Sequence, residues 1–213
     1  MNMDDARRSV VEAACRLGPL GLTQGTSGNV SLRAGRRMLV TPSAVPYDSL
    51  EPDDVVLMDL DGSRCDAREG RRPSTEWRLH AAVLATREDI GAIVHAHPPW
   101  STALSCLRRG IPAFHYMVAV AGGSEIACSS YERFGTPELA MAATEALGPR
   151  RACLLANHGI VSCGADLAGA LSLAVEVETL AGQFMRALAV GEPVLLDDTE
   201  MAGVLAAFSD YGG

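Results

Sequence analysis

The amino-acid sequence predicts a single α/β domain over residues 1–213. Three observations carry that expectation. Short apolar, β-branched runs alternate with longer segments of helical periodicity along the chain. No linker, repeat or low-complexity stretch divides it. With 213 residues, 48% of them hydrophobic and 21% charged, the chain is long and apolar enough for one substantial core.

Residues 4–17 carry apolar side chains at helical spacing and stop at Gly18-Pro19, which predicts an N-terminal helix. Residues 21–29 form a loop rich in glycine and hydroxyl groups. Residues 30–33 and 38–41 read as a hairpin turned at Ala34-Gly35-Arg36. Residues 55–59 are a short strand followed by an Asp61-Gly62 turn. Ser74 or Thr75 suits the N-cap of a helix reaching about Thr86. The run 90–97 reads as a buried strand, which Pro98-Pro99 breaks before a helix over 100–107. Aromatic and β-branched content predicts a strand over 114–120. Thr136-Pro137 opens a helix with proline in its first turn. Residues 152–156 and 160–163 are strands bent around Asn157-His158-Gly159. Asp166 caps a long helix ending near Gly191, and a short helix follows over 199–208.

Charge and composition narrow the function. The formal net charge is -8 and the pI about 5.1, against the basic stripe of a non-specific nucleic-acid binder. All 18 basic residues are arginine. Without lysine there is no ε-amine for Schiff-base chemistry, so carbonyl chemistry here needs another electrophile, and a metal ion fits that gap. The six cysteines (15, 65, 106, 128, 153 and 163) show no C-x-x-C spacing, and the first residues are polar and acidic. Reduced thiols and a cytoplasmic location are expected. No apolar stretch approaches the ~20 residues of a membrane span.

The most informative motif is His95-Ala96-His97. Side chains two apart on a strand share a face, so both imidazoles can reach one point. His158 sits at a glycine-flanked corner between strands, where a side chain can be aimed into a cleft. Three ring nitrogens around one ion leave a fourth position open, the pattern of a catalytic zinc site. The alternative for His95 and His97 is a pair of core histidines bonded to carbonyls. Glu76, in Pro73-Ser74-Thr75-Glu76-Trp77, is the natural acidic partner; otherwise it complements the helix dipole. His80, four residues on along the same face, is either a ligand or a bonded structural histidine. His115 competes as well. Gly25-Thr26-Ser27-Gly28-Asn29 offers free N–H groups and three side chains able to donate, and Ser74 and Thr75 add hydroxyls at a helix start. Together they favour a phosphate pocket over a turn and an N-cap.

These residues carry a resemblance. The chain resembles the class II aldolase/adducin family through Gly25-Thr26-Ser27-Gly28-Asn29-Val30-Ser31, Thr41-Pro42-Ser43, Pro46-Tyr47, Ser74-Thr75-Glu76, His95-Ala96-His97-Pro98, Ile111 to Met117, Phe134-Gly135-Thr136 and His158-Gly159. The resemblance implies a three-layer α/β/α fold with a central mixed, mainly antiparallel sheet. It implies one Zn²⁺ per subunit, or another divalent metal, held by His95, His97 and His158. Glu76 would be the metal-adjacent acid/base. Thr26, Asn29, Ser74 and Thr75 would bind a phosphate, with Gly28 and Ser43 lining the pocket. Tyr116 would donate a proton from the neighbouring subunit of a homotetramer, and Tyr211 would be a second tyrosine near the substrate. The activity implied is cleavage of a small phosphorylated sugar, a ketose 1-phosphate, into dihydroxyacetone phosphate and a short aldehyde, with no nucleic-acid or membrane partner. An epimerase or dehydratase on the same metal site is the alternative; a non-catalytic adducin-like module and a zinc hydrolase are remoter ones. The chain departs from the family at Ala44, where glycine is usual, and it stops two residues past Tyr211.

Overall fold

A computed structural model describes residues 2–211, with side chains described through Phe208. The first helix, α1 (Met3–Leu17), is capped by Asn2, whose side chain accepts from Asp5 N, and buries Ala6, Val10, Ala13, Ala14 and Leu17 along one stripe. Seven strands follow: β1 (Asn29–Ala34), β2 (Arg37–Val40), β3 (Val56–Asp59), β4 (Cys65–Asp66), β5 (Ala92–Ala96), β6 (Ala152–Leu155) and β7 (Gly159–Gly164). They form one sheet in the order β4-β3-β2-β1-β5-β7-β6, and every neighbouring pair is antiparallel. Among the described residues, parallel pairing occurs at an isolated bridge, Cys128 to Leu154. The two-residue strand β4 is not signalled by the sequence pattern, being too short to alternate.

Alternation along the strands builds two cores, one on each face. Val30, Leu39, Leu57, Val94, Leu154 and Ile160 point to the larger core, shared with α1, α3 (Pro99–Cys106) and α5 (Leu167–Val190). Met38, Val56, Ile93, Cys153 and Val161 point to the smaller core under α2 (Trp77–Thr86) and α4 (Pro137–Leu147). The sheet therefore lies between two helical layers. The last helix, α6 (Asp198–Tyr211), contributes Met201 to the larger core. Glu178 of α5 fixes the layer above the site: its carboxylate accepts from Trp100 N, Ser101 N and Ser101 Oγ, each at 2.8 Å, and so caps α3. No described helix is long and apolar enough to cross a membrane.

Two local expectations are corrected. Residues 114–120 are not a strand; Tyr116–Ala121 is a 3₁₀ helix. His115 Nδ1 accepts from Met117 N over 3.1 Å, and Gly122 at φ 84 closes the turn, so capping chemistry overrides β propensity. Neither Ser74 nor Thr75 is the N-cap of α2. Glu76 occupies that position, and Ser74 Oγ instead accepts from Glu76 N over 3.3 Å.

Candidate active site

The register of β1 against β5 pairs Asn29 with His95, both facing the smaller core. The next inward residue on β1 is Ser31, and His80 rises from α2 beneath the pair. Around this floor four side chains converge: Glu76, His95, His97 and His158 each place a ligand atom within 4.8 Å of the others. His97 lies just past β5, anchored by its N–H to Leu22 O at 3.1 Å. His158 hangs from the hairpin corner between β6 and β7. Asn157 holds that corner in the left-handed region at φ 54, and Ser105 accepts from His158 N at 3.2 Å.

The spacing fits one cation. His95 Nε2 lies 3.0 Å from His97 Nε2 and 3.1 Å from Glu76 Oε2, and His158 Nε2 lies 3.3 Å from Glu76 Oε1. Ligands about 2.0–2.1 Å from a tetrahedral zinc stand roughly 3.3 Å apart. The proton inventory agrees. His95 Nδ1 donates to Ile160 O over 2.8 Å, which directs its Nε2 into the cluster, as an orienting partner does for a metal-bound imidazole. Glu76 Oε1 is buried without a hydrogen-bond partner. An orphaned carboxylate oxygen facing the His158 ring nitrogen, on a carboxylate whose other oxygen faces His95, is what a divalent ion would satisfy.

Burial alone would raise the Glu76 carboxyl, but the charge and hydrogen bond of His95, then His158 and Asn29, hold it well below the usual carboxylate range. Burial pulls His95 down, yet the neighbouring Glu76 carboxylate leaves it above its ordinary value. His97 and His158 are pushed down to about 4 by burial and then by the charge of His95. The cluster thus carries an ionised carboxylate with two neutral rings, His97 and His158, beside it, a donor set that suits a divalent metal.

His80 is a bonded structural histidine. It is fully buried, pushed down to about 3 by burial and then by the charge of His95, and therefore neutral. Glu76 can only accept, so Asn29 turns Nδ2 to it over 3.1 Å and Oδ1 to His80 Nε2. His80 Nδ1 is then the acceptor for Ser31 Oγ at 2.7 Å. His115 caps the 3₁₀ turn through Nδ1 and lies outside the cluster.

The residues expected around a phosphate fall into two groups. Ser74 N donates to Thr41 O and Ser43 N to Arg72 O, so the 41–43 and 72–74 segments run side by side and join Ser43 to Ser74. Thr75 is exposed beside them. Asn29 is 3% exposed and its amide is committed on both sides. Gly28, at φ 81, brings its backbone against β5; a Cβ there would lie 2.8 Å from His95 O. Thr26 is exposed in the loop that precedes it. Ala44 adopts φ 60, the left-handed turn that glycine would take without strain.

Tyr116 is 51% exposed and stacks on His115 at 4.8 Å; it does not line the metal cleft of its own chain. Tyr211 ends α6, and its side chain lies outside the described residues. The cleft, about 370 Å³, is walled by Glu76, His97, His158, Tyr131, Phe134 and Asn157. The sequence reading assigned no role to Tyr131 or Asn157. Two aromatics in Tyr131-Glu132-Arg133-Phe134, a polar loop stretch, were the signal for the first.

Comparison with known proteins agrees with this geometry. A family model described as the class II aldolase and adducin N-terminal domain matches residues 8–185. The chain is 49% identical to the 5-methylthioribulose-1-phosphate/5-deoxyribulose-1-phosphate aldolase of Rhodospirillum rubrum, over 97% of this chain and 92% of that protein. It is 44% identical to the L-fuculose phosphate aldolase of Escherichia coli K12, over 100% of this chain and 98% of that protein. A solved L-fuculose 1-phosphate aldolase superposes with a TM-score of 0.92 at 40% identity, covering 96% of each chain.

Proposed function

The chain belongs to the class II aldolase and adducin family and is an aldolase, and from that premise we propose that it reversibly cleaves a ketose 1-phosphate into dihydroxyacetone phosphate and a short aldehyde. One observation carries the reading: three imidazoles and a buried carboxylate with a free oxygen meet in a cleft that adjoins the hydroxyls of Ser74 and Thr75. A non-catalytic module would have no need of this donor set.

The substrate is L-fuculose 1-phosphate or a close analogue. The similar proteins are named for L-fuculose phosphate and for 5-deoxy- and 5-methylthio-ribulose 1-phosphates. Each of these sugars ends in a carbon without a hydroxyl. Exposed Tyr131 and Phe134 at the cleft mouth offer apolar surface for such an end. The aldehyde released would be lactaldehyde from fuculose 1-phosphate.

A divalent ion, zinc in this reading, would be held by His95, His97 and His158, one per chain, and supplies Lewis-acid stabilisation of charge developing on substrate oxygens. The phosphate is bound by Thr26, Asn29, Ser74 and Thr75, with Gly28 and Ser43 lining the pocket. A base, Glu76 or a group it relays through, takes the C4 hydroxyl proton. The O–H electrons form the aldehyde carbonyl, and the C3–C4 pair passes to C3. Glu76 then returns a proton to C3, so one proton leaves and one arrives. Tyr116, outside its own chain's cleft, serves the aldehyde oxygen of a neighbouring subunit in a homotetramer, and Tyr211 approaches the substrate from the C-terminus. The enzyme acts in the cytoplasm, where its thiols stay reduced.

Incubating the protein with a panel of ketose 1-phosphates, with and without chelator, and identifying the products tests the reading. Dihydroxyacetone phosphate plus an aldehyde, abolished by chelator, is the expected result. A single product of unchanged carbon number would replace the aldolase by an epimerase or dehydratase.

A further inference from the structure

A second cleft of about 490 Å³ opens beside the metal cleft and shares Phe134 with it. Ser74 and Thr75 form one wall, at the start of α2; residues 133–135 form the other. The two walls are seated directly together. Gly135 has φ +75, and a Cβ there would lie 3.0 Å from Thr75 O, so a side chain would lever the loop away.

The ionisable residues lining this cleft are Arg72, Arg78 and Arg133, with no carboxylate among them. The carboxylates of Glu76 and Glu132 line the metal cleft instead. Arg78 is held in place, its guanidinium 4.6 Å from the Trp77 ring centroid and 3.5 Å from Gly135 O. Arg72 and Arg133 have no ion-pair partner among the described residues. The chain has 26 acidic residues for 18 arginines, and seven other arginines are ion-paired. Three cations lining one cleft with no carboxylate among the lining residues give it a positive potential that favours an anion. The residues expected to hold the phosphate, from Thr26 to Thr75, are all uncharged, so that pocket alone offers a dianion hydrogen bonds and no neutralising charge. Arg72 stands next to it, since its carbonyl accepts from Ser43 N at 2.9 Å.

We propose that Arg72, Arg78 and Arg133 form an outer anion site that captures the phosphate dianion of the incoming sugar phosphate and delivers it to the hydroxyl-lined pocket. The proposal rests on the reading that the substrate is a ketose 1-phosphate bound through Ser74 and Thr75. Planar guanidinium groups match phosphate oxygens two at a time, and a cationic rim raises encounter rates with anions.

The test uses the full-length, metal-loaded enzyme and the double variant Arg72→Gln/Arg133→Gln, with Arg72→Lys/Arg133→Lys as the charge-preserving control. Two quantities are read: kcat/KM for the ketose 1-phosphate across ionic strength, and the affinity for inorganic phosphate by calorimetry. In the glutamine variant kcat/KM should fall about tenfold at low salt with kcat within twofold, and its salt dependence should flatten. Phosphate affinity should fall by a similar factor, and the lysine variant should recover part of both. Unchanged kcat/KM and salt dependence overturn the proposal, whether or not phosphate affinity changes. If no sugar phosphate is cleaved at all, the calorimetry still decides. Weakened phosphate binding in the glutamine variant then supports the anion site while the aldolase substrate reading fails, and equal binding sinks the site itself.

Discussion

Asn29 Nδ2 donates to Glu76 Oε2 over 3.1 Å while Asn29 Oδ1 receives His80 Nε2, so one buried amide ties a structural histidine to the carboxylate of the candidate active site. The family resemblance assigns Asn29 to phosphate binding. The structure gives it a second duty, which is to hold Glu76 with Oε1 free.

Asn29→Leu separates these duties. Loss of a hydrogen bond to a charged group is worth about 1.5–3 kcal/mol, so kcat should fall roughly 10- to 100-fold, with a smaller change in KM. Steady-state kinetics over a substrate series reads the split. A rise in KM at constant kcat would return Asn29 to the phosphate pocket alone.

Glu76→Gln keeps the shape of the side chain and removes its basicity. Turnover should drop by roughly 10²-fold or more, the usual scale for a general acid/base. Near-normal turnover would remove Glu76 from the proton transfers.

His80 makes stability pH-dependent. Its pKa lies near 3 in the folded chain against an ordinary value of 6.5, so between these values the unfolded chain binds a proton that the folded chain does not. Stability is therefore complete above pH 6.5 and declines on acidification, by up to about 1.4 kcal/mol per pH unit from this residue. Denaturant unfolding between pH 7 and pH 5 should show a shallower decline for His80→Gln than for the wild type. Parallel curves would contradict it.

Ala44 sits at φ 60 on the surface. Ala44→Gly relieves about 1 kcal/mol of left-handed strain, partly offset by the greater freedom of glycine in the unfolded chain. A rise in Tm of about 1–3 °C in a thermal scan is expected. A fall in Tm would mean that the alanine turn is unstrained.

Much of this was legible in the chain itself. The two-residue spacing of His95 and His97 on an apolar run suffices to put both rings on one face, and His158 between Asn157 and Gly159 marks a corner that can aim a side chain. The helix over 4–17 emerges as Met3–Leu17 because its stops are local, Asn2 before it and Gly18 after. What sequence could not deliver depends on register and docking. Whether the Asn29 amide faces a ligand or Glu76 is decided by its pairing with His95 and by where α2 lies on the sheet. Residues 114–120 have strand-like composition, but the hydrogen bond that His115 accepts from Met117 N and the left-handed Gly122 make them a 3₁₀ turn. Arg72 and Arg133 are distant in the chain, and the close seating of Gly135 against Thr75, with the Arg78 hydrogen bond to Gly135 O, brings them to one cleft.

The central claim is that His95, His97 and His158 hold one divalent cation. Elemental analysis of the purified protein alongside His95→Ala tests it most directly. The account predicts about one equivalent of divalent metal per wild-type chain and a large loss in the variant. Active wild-type protein free of metal, or a variant that keeps its full equivalent, would contradict it.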